Sequence, residues 1–253
     1  MSAIDNASIY IGWDPNEQEA FQVCRSSIER HLSAHIPIHA LVLGELRQRG
    51  LYLRPHEQRG ITVMKDSNRE RPIMWDVVSN APMSTEFANT RFFVPHLAKT
   101  GLALFLDCDI LVRDDLVPLF VNFPLSKAIG CVQHKPYTPA GKIKMDGQLQ
   151  TNYRRKNWSS VMMFNCDHIA NRALTLALCN ALPGRLLHGF AWVDDVFLHE
   201  FDPTYNHLVG EHEHDPSAKV VHFTNGGPWL PEFADVPFAD EWRSYLEGRP
   251  RAA

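Results

Sequence analysis

Leu104-Phe105-Leu106-Asp107-Cys108-Asp109-Ile110-Leu111-Val112 is an apolar run broken by two carboxylates one residue apart. Leu104, Phe105 and Leu106 predict a strand buried on both faces, as the central parallel strands of α/β sheets are. Asp107 and Asp109 then emerge at its carboxyl end, where open α/β sheets bind their ligands. Side chains at i and i+2 of an extended segment point the same way, so both carboxylates can face one hard cation. A strand followed by an unliganded acidic turn is the plain alternative, and the surrounding sequence must decide.

Upstream, Ser8 to Trp13 predicts a first strand, stopped by Asp14-Pro15-Asn16, where the proline bars further pairing. A helix is expected from about Glu17 to Ser33, with Ala20, Phe21, Cys24, Ile28 and Leu32 on its apolar face and Arg25 and Glu29 paired outside. A strand from Ile38 to Leu43 completes a βαβ unit. Arg47 to Pro82 is polar and without clear period, so no element is assigned there. Ser84 to Lys99 predicts a helix stopped by Gly101, directly before the Asp-x-Asp strand. Residues 127 to 133 and Val161 to Asn165 predict further strands, with a helix from His168 to about Leu182 capped by Asp167. A helical turn or two is expected from Val193 to His199, a last strand from Lys219 to Phe223, and a closing helix from Glu241 to Glu247.

The chain has 253 residues, 45% of them hydrophobic and 21% charged, which suits one α/β domain with a core over about residues 8–230 and an extension over 231–253. A net charge of -4 gives no reason to expect nucleic acid as a partner. No apolar run approaches the roughly 18 residues of a membrane span, and no basic-then-apolar leader opens the chain, so a cytoplasmic protein is expected. Five scattered cysteines without a Cys-x-x-Cys pair read as buried thiols in a reducing compartment, not as a zinc site or disulfide framework. From His134 to Asn157, Lys135, Lys142, Lys144, Arg154, Arg155 and Lys156 face one acid, Asp146, among prolines and glycines. So long a basic loop is either a solvated surface or a segment that closes over phosphate or an acidic acceptor.

His222 ends its own apolar strand, as Asp107 does, and Phe223-Thr224-Asn225-Gly226-Gly227-Pro228-Trp229 follows. One imidazole with two carboxylates suits manganese, with magnesium as a substitute. His207, His212 and His214, set among acids, read as an exposed polar loop. Two chemistries use a strand that ends in Asp-x-Asp. Nucleotide-sugar transferases hold a divalent cation against the donor diphosphate. Phosphohydrolases of the haloacid-dehalogenase type use the first Asp as nucleophile and need a later acidic pair, for which Asp194-Asp195 would serve. That second reading leaves His222 and the Gly-Gly-Pro-Trp turn unexplained, and a whole βαβ unit precedes its nucleophile.

Taken in order, the strand ending at Asp14, the helix before Asp107-Cys108-Asp109, Ser160 to Asn165, Asp194-Asp195 and His222 to Trp229 resemble family-eight retaining glycosyltransferases. These are related to glycogenin and to bacterial lipopolysaccharide galactosyl- and glucosyltransferases. The resemblance spans about residues 8 to 230. It implies a GT-A fold, a Rossmann-like mixed sheet flanked by helices with Asp-x-Asp at the end of a central strand. It further implies hexose transfer from a nucleotide sugar, UDP-glucose or UDP-galactose, to a glycan, lipid-linked or protein acceptor with retention. Asp107, Asp109 and His222 match the metal ligands. Gly12, Trp13, Asp14, Arg91, Asp107, Cys108, Asp109, Ser160, Gly226 and Gly227 match the nucleotide-sugar site. Asp194 or Asp195 matches the group lining the reacting face of the sugar. The chain departs from the family's pattern in two places. Trp158 and Ser160 replace an Asn and a Gly, and Gly227 stands where a phosphate-binding Lys is usual. The missing charge points to Lys142, Lys144, Arg154 or Arg155 as its replacement, and it raises a sugar-nucleotide binder without turnover as a further alternative.

Overall fold

Every residue of Ser8–Gly12, Leu102–Leu106 and Val161–Asn165 is buried, and these segments form the centre of a six-stranded sheet. The protein is seen in a computed structural model that describes residues 4–63, 70–135 and 155–247. Its first half contains β1 (Ser8–Gly12), α1 (Gln18–His31), β2 (Ile38–Leu41), α2 (Leu43–Gln48), β3 (His56–Val63), β4 (Glu70–Asp76), β5 (Ala81–Pro82), α3 (Val94–Ala98), β6 (Leu102–Leu106) and β7 (Ile110–Val112). The second half adds α4 (Val117–Val121), β8 (Ile129–Cys131), β9 (Val161–Asn165), α5 (Ile169–Arg172), α6 (Leu176–Ala181), α7 (Gly184–His188), β10 (Leu198–Glu200), β11 (His207–Leu208), β12 (Val220–His222) and α8 (Ala239–Glu247).

The main sheet runs β10-β8-β9-β6-β1-β2. β1 is parallel to both β2 and β6, and β10 is parallel to β8, whereas β9 is antiparallel to both its neighbours. The carboxyl ends of β1, β6 and β8 therefore share one rim with the amino end of β9. β6 is buried as its composition demands, although one of its partners is antiparallel. α1 buries Ala20, Val23, Cys24 and Ile28, with Cys24 and Ile28 in the core of this sheet, while Arg25 and Glu29 pair outside at 2.8 Å. All five cysteines are free and buried. A second sheet, β11-β12-β7, abuts α1 and α8 around Leu111, Val221, Phe223 and Trp242. No helix among the described residues is long and apolar enough to cross a membrane.

Several expectations are corrected. The unassigned stretch 47–82 contains β3, β4 and β5, a three-stranded antiparallel sheet. Glu57, Gln58, Arg59 and Ile61 in β3 and Pro72 and Met74 in β4 are exposed, so no buried alternation marks these strands. Ser84 to Lys99 is not one helix. Turns lead to a 3-10 turn at Thr90–Phe93, and regular α-helix begins only at Val94, with Pro95 in the first turn where its missing N–H is tolerated. The helix expected from His168 to Leu182 is two, because the Thr175 hydroxyl caps Leu178 and starts α6 afresh. His168, not Asp167, caps α5, and Asp167 instead accepts from the Gly101 N–H at 2.9 Å. Asp195–Phe197 is a single 3-10 turn that passes straight into β10. His207 is buried in β11, whereas His212 and His214 are exposed as expected.

Candidate active site

Two pairings bring the candidate ligands together. β6 delivers Asp107 to the rim of the sheet, where the Asp107 N–H donates to the Ser160 carbonyl at 2.9 Å. β7 and β12 then pair with His222 opposite Ile110, and the Phe223 N–H donates to the Asp109 carbonyl at 2.9 Å. As a result, one ligand atom from each of Asp107, Asp109 and His222 lies within 4.8 Å of the others. His222 Nε2 is 3.3 Å from Asp109 Oδ2. Asp109 Oδ1 is buried without a hydrogen-bond partner among the described residues. Two carboxylates and an imidazole with an uncompensated buried oxygen fit a manganese or magnesium ion.

The electrostatics reflect how close Asp109 and His222 lie. Burial opposes charge on both Asp109 and His222, but their mutual attraction outweighs it. Asp109 is held below the usual carboxylate range and His222 above the usual imidazole range. Arg91 lies beneath Asp107, its Nη1 2.9 Å from Asp107 Oδ1 without hydrogen-bond alignment and 2.8 Å from the Ser159 carbonyl. Its guanidinium also sits 4.7 Å from the centre of the Phe105 ring. Cys108, between the two aspartates, donates to Glu17 at 3.0 Å, and burial followed by Glu17 and the aspartates pushes its thiol well up.

Asp14 is buried, with Oδ1 accepting from the Asn16 backbone and side chain at 2.8 Å and Oδ2 from the Glu86 N–H at 2.9 Å. It thereby ties the end of β1 to the segment that carries Arg91. Gly12 is explained by packing: a Cβ there would lie 2.5 Å from the Phe87 ring. Trp13 is half-buried at the same strand end. In the turn after His222, the Gly226 N–H donates to the Phe223 carbonyl at 2.8 Å and so is not on offer to a phosphate. Gly227 has no room for a Cβ beside the Trp229 ring, which leaves no space there for a lysine side chain.

Asp194 and Asp195 are both exposed. Asp194 caps its 3-10 turn through the Val196 N–H, and Asp195 is ion-paired with Arg155. Lys142, Lys144 and Arg154 lie outside the described residues. Ser160 donates to the Asn157 carbonyl at 2.7 Å and accepts from Asn206 at 2.9 Å. Asn206 and the buried His134 were not anticipated. Asn206 sits 3.2 Å from His222 Nδ1 only because β11 lies beside β12, a pairing of two-residue length with no sequence signal. His134 follows β8 onto the same rim, and its buried Nε2 has no hydrogen-bond partner among the described residues.

Comparison with known proteins bears on the fold. The sequence is 38% identical over 245 residues to Protein CDI of Arabidopsis thaliana, across 94% of this chain and 85% of the plant protein. No protein-family model matches it. Among solved structures, the bifunctional glycosyltransferase WbbM is similar with a TM-score of 0.58 at 16% identity, over 96% of this chain and 50% of WbbM. The glycosyltransferase GlyE of Streptococcus pneumoniae TIGR4 is similar with a TM-score of 0.56 at 15% identity, over 94% of this chain and 59% of GlyE. An active-site mutant of LgtC gives 0.57 at 17% identity, over 97% of each chain. This chain thus spans half of WbbM, 59% of GlyE and nearly all of LgtC. At such identities the likeness shows the fold, which is that of GT-A glycosyltransferases.

Proposed function

The chain belongs to the family of Protein CDI and has the glycosyltransferase GT-A fold, and from that premise we propose that it transfers a hexose from a nucleotide sugar, UDP-glucose or UDP-galactose, to an acceptor with retention. The carrying observation is the convergence of Asp107, Asp109 and His222 on one point at the carboxyl rim, with Asp109 Oδ1 buried and unmatched. A sugar-donor reading also has precedent in the fold, since the galactosyltransferase LgtC has been solved with donor and acceptor sugar analogs.

In this reading Asp107, Asp109 and His222 hold Mn2+, with Mg2+ as a substitute. The ion would supply Lewis-acid neutralisation of the leaving diphosphate. Arg91 fixes the Asp107 carboxylate and adds positive charge below it. Gly12, Trp13 and Asp14 at the end of β1, with Cys108, Ser160 and Gly227, form the donor cradle, and Gly226, whose N–H is taken by the Phe223 carbonyl, shapes the turn without binding phosphate. Asp194 or Asp195 faces the sugar centre, which becomes positively charged as its bond to the diphosphate breaks. Lys142, Lys144 and Arg154 bring positive charge to the diphosphate or to an acidic acceptor. The acceptor is a glycan, a lipid-linked sugar or a protein, met in the cytoplasm.

The phosphohydrolase alternative falls with the GT-A fold. A nucleotide-sugar binder without turnover is the rival that one observation favours, since Gly227 replaces the phosphate-binding lysine. A panel of nucleotide sugars assayed for Mn2+-dependent release of UDP or GDP decides between them. Tight UDP binding with no release from any donor, in the presence of candidate acceptors, would establish the binder and end the transferase reading.

A further inference from the structure

Asn206 is fully buried and makes three polar contacts from its side-chain amide. Its Nδ2 lies 3.2 Å from the Asn157 carbonyl and 2.9 Å from Ser160 Oγ, and its Oδ1 lies 3.2 Å from His222 Nδ1. The orientation of the amide follows from chemistry. A carbonyl oxygen can only accept, so the atom facing Asn157 must be the NH2 group. Ser160 Oγ already donates to that same carbonyl at 2.7 Å and therefore accepts from Asn206. Oδ1 is left facing His222, and as an acceptor it requires a proton on Nδ1.

We infer that Asn206 is a positioning residue for the metal ligand, holding His222 in the tautomer that carries its proton on Nδ1 and so turning the Nε2 lone pair toward the cation. This rests on the metal-site reading above. Without Asn206, the ring can place its proton on Nε2 and donate to Asp109 Oδ2, 3.3 Å away, and then offers a cation no lone pair. Asn206 also joins the backbone of the 157–160 segment to His222, beside the bond from the Asp107 N–H to the Ser160 carbonyl.

The test is Mn2+ affinity, read by electron paramagnetic resonance on the nucleotide-free protein, for the parent, Asn206→Leu, Asn206→Asp and His222→Ala. Thermal unfolding in chelator controls for the fold. Asn206→Leu removes the acceptor and is expected to weaken Mn2+ binding about 10- to 100-fold, while Asn206→Asp keeps an acceptor for Nδ1–H and stays within about threefold of the parent. A folded Asn206→Leu that binds Mn2+ like the parent overturns the inference. So does an Asn206→Asp as weak as His222→Ala, an outcome that stays decisive if the Leu variant does not fold. Parent-like affinity in His222→Ala overturns instead the metal-site reading on which this rests. Weak binding by His222→Ala beside full binding by Asn206→Leu sinks only the role of Asn206.

Discussion

Arg155 is ion-paired with Asp195, 40 residues further along the chain, and donates to the Gly189 carbonyl at 2.8 Å. Its guanidinium sits 5.3 Å from the centre of the Trp158 ring and is nearly buried. Among the basic residues read as a phosphate or acceptor loop, Arg155 therefore serves a carboxylate of the acidic turn. The pair joins the segment that enters β9 to the turn proposed to face the sugar.

If Asp194 and Asp195 act on the sugar and not on the diphosphate, their Ala variants should lose kcat by about tenfold or more with UDP affinity little changed. Arg155→Ala should act through Asp195, so the double variant Arg155→Ala/Asp195→Ala should be no slower than Asp195→Ala alone. Additive losses measured by steady-state kinetics would show that the two residues work separately.

The cation ligands make a separate forecast. Asp107→Ala and Asp109→Ala should abolish turnover, and either should weaken Mn2+-dependent UDP binding in calorimetry. Chelation should do the same to the parent, reversibly on adding Mn2+ back. Full activity in a chelated sample would remove the metal from the proposed reaction.

How far these residues could be read in advance depended on what surrounds them. Leu104 to Leu106 is apolar because it is buried from both sides, so the strand and the carboxylates it carries were legible. β1 was legible for the same reason, and α1 through its one buried face, whereas β2 showed only by following them, since His39 and Ala40 are exposed. The β3–β5 sheet was not, since Glu57, Gln58 and Arg59 meet solvent, and pattern reading depends on burial. Asp107, Asp109 and His222 stood at strand ends in the sequence. Asn206 could not be foreseen, because its role comes from a lateral pairing of β11 that leaves no period. His134 was hidden by its neighbours, lying at the start of a basic segment that read as loop.

A buried ion pair outside the proposed site should govern stability. Arg54 Nη2 is 2.5 Å from Asp76 Oδ2, both side chains are almost wholly buried, and Arg54 also donates to the Cys179 and Leu182 carbonyls. Asp76→Ala would leave a buried guanidinium without its counter-charge, which costs about 3–5 kcal/mol. Urea denaturation should register that loss. A change below about 1 kcal/mol would mean that the neighbouring Ser79 and carbonyl contacts suffice.

Acid should weaken the fold before the carboxylates titrate. Burial lowers His134 to about 3, and burial, followed by Arg47, lowers His56 to about 4. The unfolded chain takes up protons at these histidines near pH 6.5, whereas the folded protein resists until well below that. Their contribution to stability is thus complete above about pH 6.5 and declines as pH falls, toward about 4 for His56 and about 3 for His134. The Asp109–His222 pair acts in the opposite sense for His222, so a single-site comparison is needed. The fall in Tm from about pH 7.5 to about pH 5 should be smaller in His134→Gln than in the parent. An equal fall in both would place the proton uptake elsewhere.

The reversal of β9 has a consequence for how such a protein diversifies. β8 runs out at Cys131 and β9 starts at Val161, both on the ligand rim, so the connection between them leaves and rejoins the sheet on the same side. A segment hung this way is a cassette. A change in the number of residues between these two ends would leave the pairing of Cys131 with Met162 and the places of Asp107, Asp109 and His222 as they are.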